Sequence, residues 1–389
     1  MTPAVSARAR ALVLPPFDGL NEAAGSLRRR GHHVISLGQA VPGFGPPPAA
    51  IEAARRALSD PATHRYSGDA GLLTLREALC AAFVQEHIAA GPDELIVTAG
   101  GNQAFMLAAM TLLDPGDDML LLSPYFVNHA MAIQAVGARA IEVPVSDRTT
   151  FRARWPDIAG GLTAKTRAVV LCTPSNPTGA VVRADELARI VGELSSRGIV
   201  LVSDETYLHF VYGASHASAA SVEEWRRNVV VVGTFSKSFG MTGWRTGYVL
   251  AGADFCTQAL KIQDAMVICA PVISQIAAEA AVRDNWNYAH SFHGEIQVKR
   301  VALEAGLAGI PCLVPSAAEG GVFKFVRVDG CRDSLALAAQ ILQQVHVVTI
   351  PGATFGAAGE GFLRLSYGAA TVEELTEAGA RLRAFFAAN

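Results

Sequence analysis

Lysine is scarce in this 389-residue chain, accounting for five of its 32 Lys and Arg residues. Arginine neither forms an imine nor gives up its proton usefully, so Lys237, in the loop after Val230–Gly233, suggests amine chemistry. Positive charge is not in excess: the formal net charge is −3 and no lysine-rich run occurs. That argues against an electrostatic nucleic-acid binder. The one basic cluster, Arg28-Arg29-Arg30 before Gly31-His32-His33, reads as the solvated end of a helix. Long apolar runs are missing as well. The candidate from Ala265 to Ala278 is broken by Pro271, Ser274 and Gln275, and it falls short of the roughly 20 residues a membrane helix needs. The N-terminus has no apolar core of signal-peptide length. Six cysteines (Cys80, Cys172, Cys256, Cys269, Cys312 and Cys331) lie scattered with no CxxC. They read as free thiols in a reducing compartment, not as a disulfide framework or zinc site. His290 and His293 can share a helix face, but no other ligand pattern accompanies them, so no metal is expected. The expectation is a cytoplasmic protein with no membrane or nucleic-acid partner.

What is present is a large apolar fraction, 51%, against 17% charged residues. The length allows two domains, or one large α/β unit with an extension. No internal repeat or low-complexity linker is visible. The Pro/Gly-rich stretch from Val41 to Pro48 cannot be continuous helix. Beyond it strand-like and helix-like patterns alternate. Strands are expected at Leu95–Thr98, Met119–Ser123, Ala168–Cys172, Ile199–Ser203 and Val229–Gly233. Helices are expected at Asn102–Leu113, Val127–Val136 and Asp185–Arg197. Short, continuously apolar strands between helices indicate a mostly parallel sheet covered on both faces. Ligands of such sheets bind at the carboxyl ends of the strands. The C-terminal third has another rhythm: strands at Val322–Val328, Val345–Ile350 and Phe362–Tyr367, then a final helix. It reads as a smaller α+β domain to which the N-terminal segment returns.

The residues able to do chemistry follow those strands. Val230 to Arg245 reads VVVGTFSKSFGMTGWR. It places Lys237 between hydroxyls in a glycine-punctuated loop, with Arg245 one or two turns downstream. A pyridoxal phosphate enzyme needs such a set: an amine for the aldehyde, hydroxyls and a guanidinium for the phosphate. A surface lysine is the plain alternative. Thr98-Ala99-Gly100-Gly101-Asn102-Gln103 follows a strand and opens a helix, where free N–H groups suit an anion. Phe126, after Ser123-Pro124-Tyr125, is placed to stack on an aromatic ring or to fill core. Asn176, in Pro174-Ser175-Asn176-Pro177-Thr178-Gly179, is a donor to a phenolate-like oxygen or part of a simple turn. Asp204, with Tyr207 one turn on, suits a protonated pyridinium nitrogen; a helix N-cap is its other role. Arg364 in Phe362-Leu363-Arg364-Leu365 suits a carboxylate, or else an intramolecular acidic partner.

Taken in order, these motifs resemble the class I/II aminotransferases of fold type I, the aspartate aminotransferase superfamily. The resemblance runs from about residue 33 to the C-terminus. It rests on Tyr66…Gly71, Gly100-Gly101-Asn102-Gln103, Asn176-Pro177-Thr178-Gly179, Ser203-Asp204-Glu205-Thr206-Tyr207, Ser236-Lys237 with Arg245, and Arg364. It implies an α/β fold with a mostly parallel seven-stranded sheet, flanking helices and a smaller α+β domain. Residues 45–280 would form the large cofactor-binding domain, and 1–44 with 281–389 the small one. It further implies that Lys237 forms the Schiff base with pyridoxal 5′-phosphate and shuttles the Cα proton. Asp204 would pair with the pyridine nitrogen, Tyr207 and Asn176 would contact the 3′-oxygen, and Phe126 would stack on the ring. Gly100, Gly101, Asn102, Thr234, Ser236 and Arg245 would hold the phosphate, joined by Tyr66 of a second subunit. Arg364, Asn176 and the Gly38 backbone would bind the substrate carboxylate. The implied assembly is a homodimer with active sites at the interface. The implied reaction passes the α-amino group of an L-amino acid to a 2-oxo acid; a lyase, cyclase or oxidase on the same cofactor is the alternative.

Two departures bear on the substrate. Bacterial aspartate-type relatives often carry Gly-Gly-Lys-Gln, whose lysine helps hold a distal carboxylate; Asn102 stands there in this chain. Asp264 falls near the position of an arginine that clamps that carboxylate across the dimer interface in aspartate enzymes. The expectation is therefore a neutral or basic donor, not a dicarboxylic one. Asp264 would face a cationic side chain or serve as a surface or interface ion pair. Lys324, where relatives often have an aromatic residue, has no reading from sequence.

Overall fold

A computed structural model describes residues 4–12, 14–213 and 215–388. Its centre is a sheet of seven strands. In chain order these are β1 (Leu95–Thr98), β2 (Asp118–Ser123), β3 (Arg139–Pro144), β4 (Thr166–Cys172), β5 (Val200–Asp204), β6 (Val229–Thr234) and β7 (Gly247–Ala251). Their spatial order is β1-β7-β6-β5-β4-β2-β3. All neighbours are parallel except β7, which runs antiparallel to both β1 and β6. Only the short segment from Phe235 to Thr246 separates β6 from β7, too little for a crossover helix.

Alternation along the buried strands produces two apolar layers. Val229 and Val231 enter one core with Leu120 and Leu122, while Val230 and Val232 enter the other with Met119 and Leu121. Successive strand side chains point to opposite faces. A run of four valines therefore serves both layers at once. Helices α1 (Gly101–Leu112), α2 (Val127–Ala135) and α4 (Ala253–Val267) supply one layer. Helices α3 (Ala184–Ser195) and α5 (Val272–Val282) supply the other. β3 had no clear sequence signal because it is an edge strand with half-exposed side chains.

A second core gathers the N-terminal helix Asp18–Arg29, the C-terminal third, and Tyr207, Phe210 and Tyr212. Here β8 (Leu313–Pro315), β9 (Phe323–Val328), β10 (Ile350–Pro351) and β11 (Phe362–Ser366) form an antiparallel sheet in the order β10-β11-β9-β8. Helices α6 (His293–Leu307), α7 (Ser334–Val345) and α8 (Val372–Ala388) contribute Leu303, Ile341 and Leu382 to this core. The single strand expected at Val345–Ile350 is corrected. Val345 ends α7, His346 takes φ 56, and the chain then splits between two sheets. Val347–Val348 pairs in parallel with Ile35–Ser36, and Ile350 pairs with Arg364 of β11. That split brings the N-terminal segment to the strand that carries Arg364: Leu37 N donates to Val348 O (2.9 Å), and Ser366 N to Leu37 O (2.7 Å).

Lys324 also finds its explanation here. It is 4% exposed on β9 and pairs with Glu304 of α6, which also accepts from Arg300 Nε (3.1 Å). The lysine ties helix to sheet inside the second core.

Candidate active site

The carboxyl ends of the strands open into a cavity of about 290 Å³ between the two cores. Lys237, Asp204, Asn176, Tyr207, Phe126, Asn102, Gly101, Thr234, Ser236, Arg245 and Arg364 all border it. Segments as distant along the chain as Gln39 and Arg364 thus converge on one volume.

At one end, β1 passes through Gly100 (φ 89) into α1. A Cβ at Gly100 would stand 2.5 Å from Arg245 Nη2, so a side chain there would strike the guanidinium as well as strain the backbone. Gly101 and Asn102 begin α1, where N–H groups lack helical partners and the dipole favours an anion. Across from them, Thr234 caps the short helix Phe235–Ser238. Its Oγ1 accepts from Ser236 N (3.1 Å) and lies 2.9 Å from Ser236 Oγ. Arg245, at φ 52, is fixed by Nη1 donating to Thr242 O (2.9 Å). Amides, hydroxyls and a guanidinium therefore line this end, a donor set suited to a phosphate ester.

Lys237 projects from the same short helix, and its Nζ has no hydrogen-bonding or ionic partner among the described residues. Burial, helped by Arg364 and Arg245 and opposed by Asp204, lowers its pKa from 10.5 to about 8. Its Nζ lies 6.0 Å from the centre of the Tyr207 ring. The Tyr207 hydroxyl donates to Ala40 O (3.0 Å), and burial raises its pKa.

Asp204 is buried at the end of β5. Burial disfavours its charge, yet the hydrogen bond and charge of His129 and the bond from Thr206 outweigh that, holding the carboxyl below its usual range. His129 Nε2 donates to Asp204 Oδ2 (2.9 Å), and Thr206 N to Oδ1 (3.0 Å). Sequence reasoning missed His129. It sits one turn after Phe126 in α2, beneath that ring and against Phe105 (centroids 5.4 and 4.2 Å). A lone histidine 75 residues from its carboxylate leaves no local signal.

At the far end Arg364 is buried on β11. Its Nη1 donates to Asn176 Oδ1 (2.9 Å) and Nη2 to Gly38 O (2.5 Å), while Nε has no partner. Phe355 and Phe323 lie 5.1 and 5.5 Å from the guanidinium. Burial lowers its pKa to about 10. A buried guanidinium with an unused donor and no acidic partner is costly unless an anion completes it.

Two candidates stand apart from this cavity. Tyr66 is 77% exposed and shares a neighbouring surface cleft with Arg245, Val267 and Cys269. Asp264 is exposed in the last turn of α4 and does not border the cavity of its own chain.

The family model described as aminotransferase class I and II matches residues 32–382. This chain belongs to that family. It is a pyridoxal phosphate-dependent aminotransferase of fold type I. Among its relatives is an aspartate aminotransferase of Pyrococcus abyssi, 34% identical over 353 residues, 89% of this chain and 90% of the relative. An aromatic-amino-acid aminotransferase of Thermococcus litoralis is also 34% identical, over the same shares. Among solved structures, the aspartate aminotransferase of Thermus thermophilus with maleate superposes with a TM-score of 0.92 at 29% identity, covering 98% and 100% of the two chains.

The unpartnered Lys237 amine, the donor-lined end at Arg245 and the open Arg364 Nε fit the family's cofactor and an amino acid beside it. No helix among the described residues is long and apolar enough to cross a membrane.

Proposed function

We propose that this aminotransferase acts on a neutral or basic L-amino acid and is poor with aspartate and glutamate. One observation carries this. Apart from His129, which is paired with Asp204, the cations bordering the cavity are Lys237, Arg245 and Arg364, and each already has a task at the amine, the phosphate or the α-carboxylate. The polar side chains at its exposed rim, Gln39 and Asn102, are neutral and have no partner among the described residues. A second carboxylate on the substrate meets no countercharge from this chain. Asp264 would then face a cationic donor only from a second copy.

When bound, pyridoxal 5′-phosphate supplies an aldehyde for amino groups and a ring that takes up the electron pair left at Cα. Thr234, Ser236, Arg245 and the Gly100–Asn102 amides would hold its phosphate. Asp204, kept charged by His129, would face its ring nitrogen, with Phe126 against the ring and Asn176 and Tyr207 at the phenolic oxygen. Arg364 orients the donor by its α-carboxylate, with Asn176 and Gly38 fixing the guanidinium. Lys237, with a pKa brought near neutrality, takes the proton from Cα and returns it. The two cores on either side of the cavity limit water.

The assembly we propose is a homodimer in which Tyr66 reaches the partner's phosphate. In support, Leu14, Ile51, Leu58, Tyr66, Leu73 and Met266 leave large side chains exposed. The six cysteines are all free, which fits a cytoplasmic setting. A donor screen tests the substrate reading. Neutral or basic donors should exceed aspartate and glutamate in kcat/KM, with one pyridoxamine phosphate formed per keto acid in a single turnover. Aspartate at or above the best neutral or basic donor would refute it, and ammonia release without pyridoxamine phosphate would point to a lyase.

A further inference from the structure

Two glutamines outside the cavity lining, Gln103 and Gln263, bond to one another behind its Arg245 end, and a third, Gln275, ties down the adjoining segment. Ala99 N donates to Gln103 Oε1 (2.7 Å), and Gln103 Nε2 donates to Gln263 Oε1 (2.7 Å). Gln263 Nε2 donates in turn to Val97 O (3.0 Å) and Asp69 O (3.5 Å). Gln275 bonds to neither of them but holds the segment on both sides of Asp69: Nε2 donates to Ala270 O (2.8 Å) and Ser67 Oγ (3.2 Å), and Oε1 accepts from Leu72 N (2.7 Å). Gln263 and Gln275 are both 0% exposed. Buried carboxamides are costly unless paired, and these two use donor and acceptor alike.

The bonds join elements that sequence does not bring together. Gln263 lies on α4, opposite Gln103 on α1 and the carbonyl of Val97 on β1. Gln275 reaches the segment that follows Tyr66. What the Gln103–Gln263 pair fixes is the position of the turn from Ala99 to Asn102. The turn's carbonyls have other partners, Arg245 Nη2 at Ala99 O (3.5 Å) and Thr98 Oγ1 at Gly100 O (3.2 Å), but among the described residues the side chain bonded to Ala99 N is Gln103.

We propose that Gln263 is a positioning residue for cofactor phosphate. Through Gln103 it holds the Ala99–Asn102 turn so that the first N–H groups of α1 face the anion. The proposal rests on the reading that this turn receives the phosphate of pyridoxal 5′-phosphate. Gln263 does not border the cavity, so its effect is confined to geometry at that end.

The test compares pyridoxal 5′-phosphate with pyridoxal, which lacks the phosphate, titrated into apoenzyme and followed by the absorbance of the Lys237 imine. In Gln263→Met, affinity for pyridoxal phosphate should fall about tenfold, as for other supporting partners of a ligand site. Pyridoxal affinity should be unchanged, as should the donor KM of the saturated enzyme. Gln103→Met breaks the same bond from a half-buried position and should reproduce the loss, which covers the case of a Gln263 variant that does not fold. The double variant should be no weaker than the worse single one, because both act through one bond. Equal losses for both ligands, or parental affinity for pyridoxal phosphate in either variant, overturn the proposal. Failure of the parent enzyme to bind pyridoxal phosphate at all is a different result: it removes the cofactor reading itself.

Discussion

The Arg245 end of the cavity is assembled from the loops that leave β1 and β6, each a short stretch of continuous sequence. The Arg364 end is assembled from Gly38, Asn176 and Arg364, with Arg364 reaching partners 188 and 326 residues away. Both ends are rich in donors, but they differ in what fixes them. Local backbone fixes the first: a glycine at φ 89, a threonine cap and a helix start. The second depends on a second core being folded against the sheet, with one strand pair returning the N-terminus to β11. A phosphate-sized anion can be met by a local motif, whereas the buried Arg364 guanidinium is fixed only when several distant segments agree.

Lys237 belongs to neither end, and its loss gives the largest effect. Lys237→Ala should lower kcat for transamination by about 10²- to 10⁴-fold, since no other uncommitted base among the described residues borders the cavity. Single-turnover absorbance checks this, and a residual rate within tenfold of the parent would remove Lys237 from proton transfer.

The two arginines separate the ends directly. Arg364→Leu should raise the donor KM by roughly 10²-fold or more, on the scale of removing one partner of a buried charge pair. Its affinity for pyridoxal phosphate should stay within a few-fold of the parent. Arg245→Leu should do the reverse, weakening the cofactor with little change in donor KM once saturated. If both variants lost cofactor and donor binding in equal proportion, the two ends would be one coupled unit.

The smallest effect concerns pH. The folded-state pKa of Lys237, about 8, lies below its ordinary 10.5 because burial and the two arginines disfavour the charged amine. The neutral, nucleophilic amine should therefore appear as pH rises through about 8. Stability shifts in the same window. Between about 8 and 10.5 the unfolded chain binds the extra proton, so this group's destabilising contribution shrinks as pH rises. Labelling of the apoenzyme's Lys237 by an amine-reactive aldehyde should titrate with a midpoint near 8. A midpoint above 10 would mean that the amine stays solvated.

The parallel strands were legible because four to six buried apolar residues bounded by turn signals have few other readings. Val229–Thr234 is wholly buried and serves both faces of the sheet. β3 and β7 left weaker signals, one as a half-exposed edge and the other as an antiparallel strand without a crossover. Val345–Ile350 looked like one strand because its apolar run is continuous. The left-handed residue His346 divides it between two sheets.

Sequence by itself determined the family and the strand-end loops that carry Lys237, Gly100 and Arg245, because each depends on residues that are neighbours along the chain. Only the tertiary structure decided that His129 supports Asp204, that Lys324 pairs with Glu304, and that Gln103 and Gln263 bind one turn to the segment behind Tyr66. Those are long-range hydrogen bonds and ion pairs. Their partners are chosen by how sheets and helices pack, and no spacing in the chain encodes that choice.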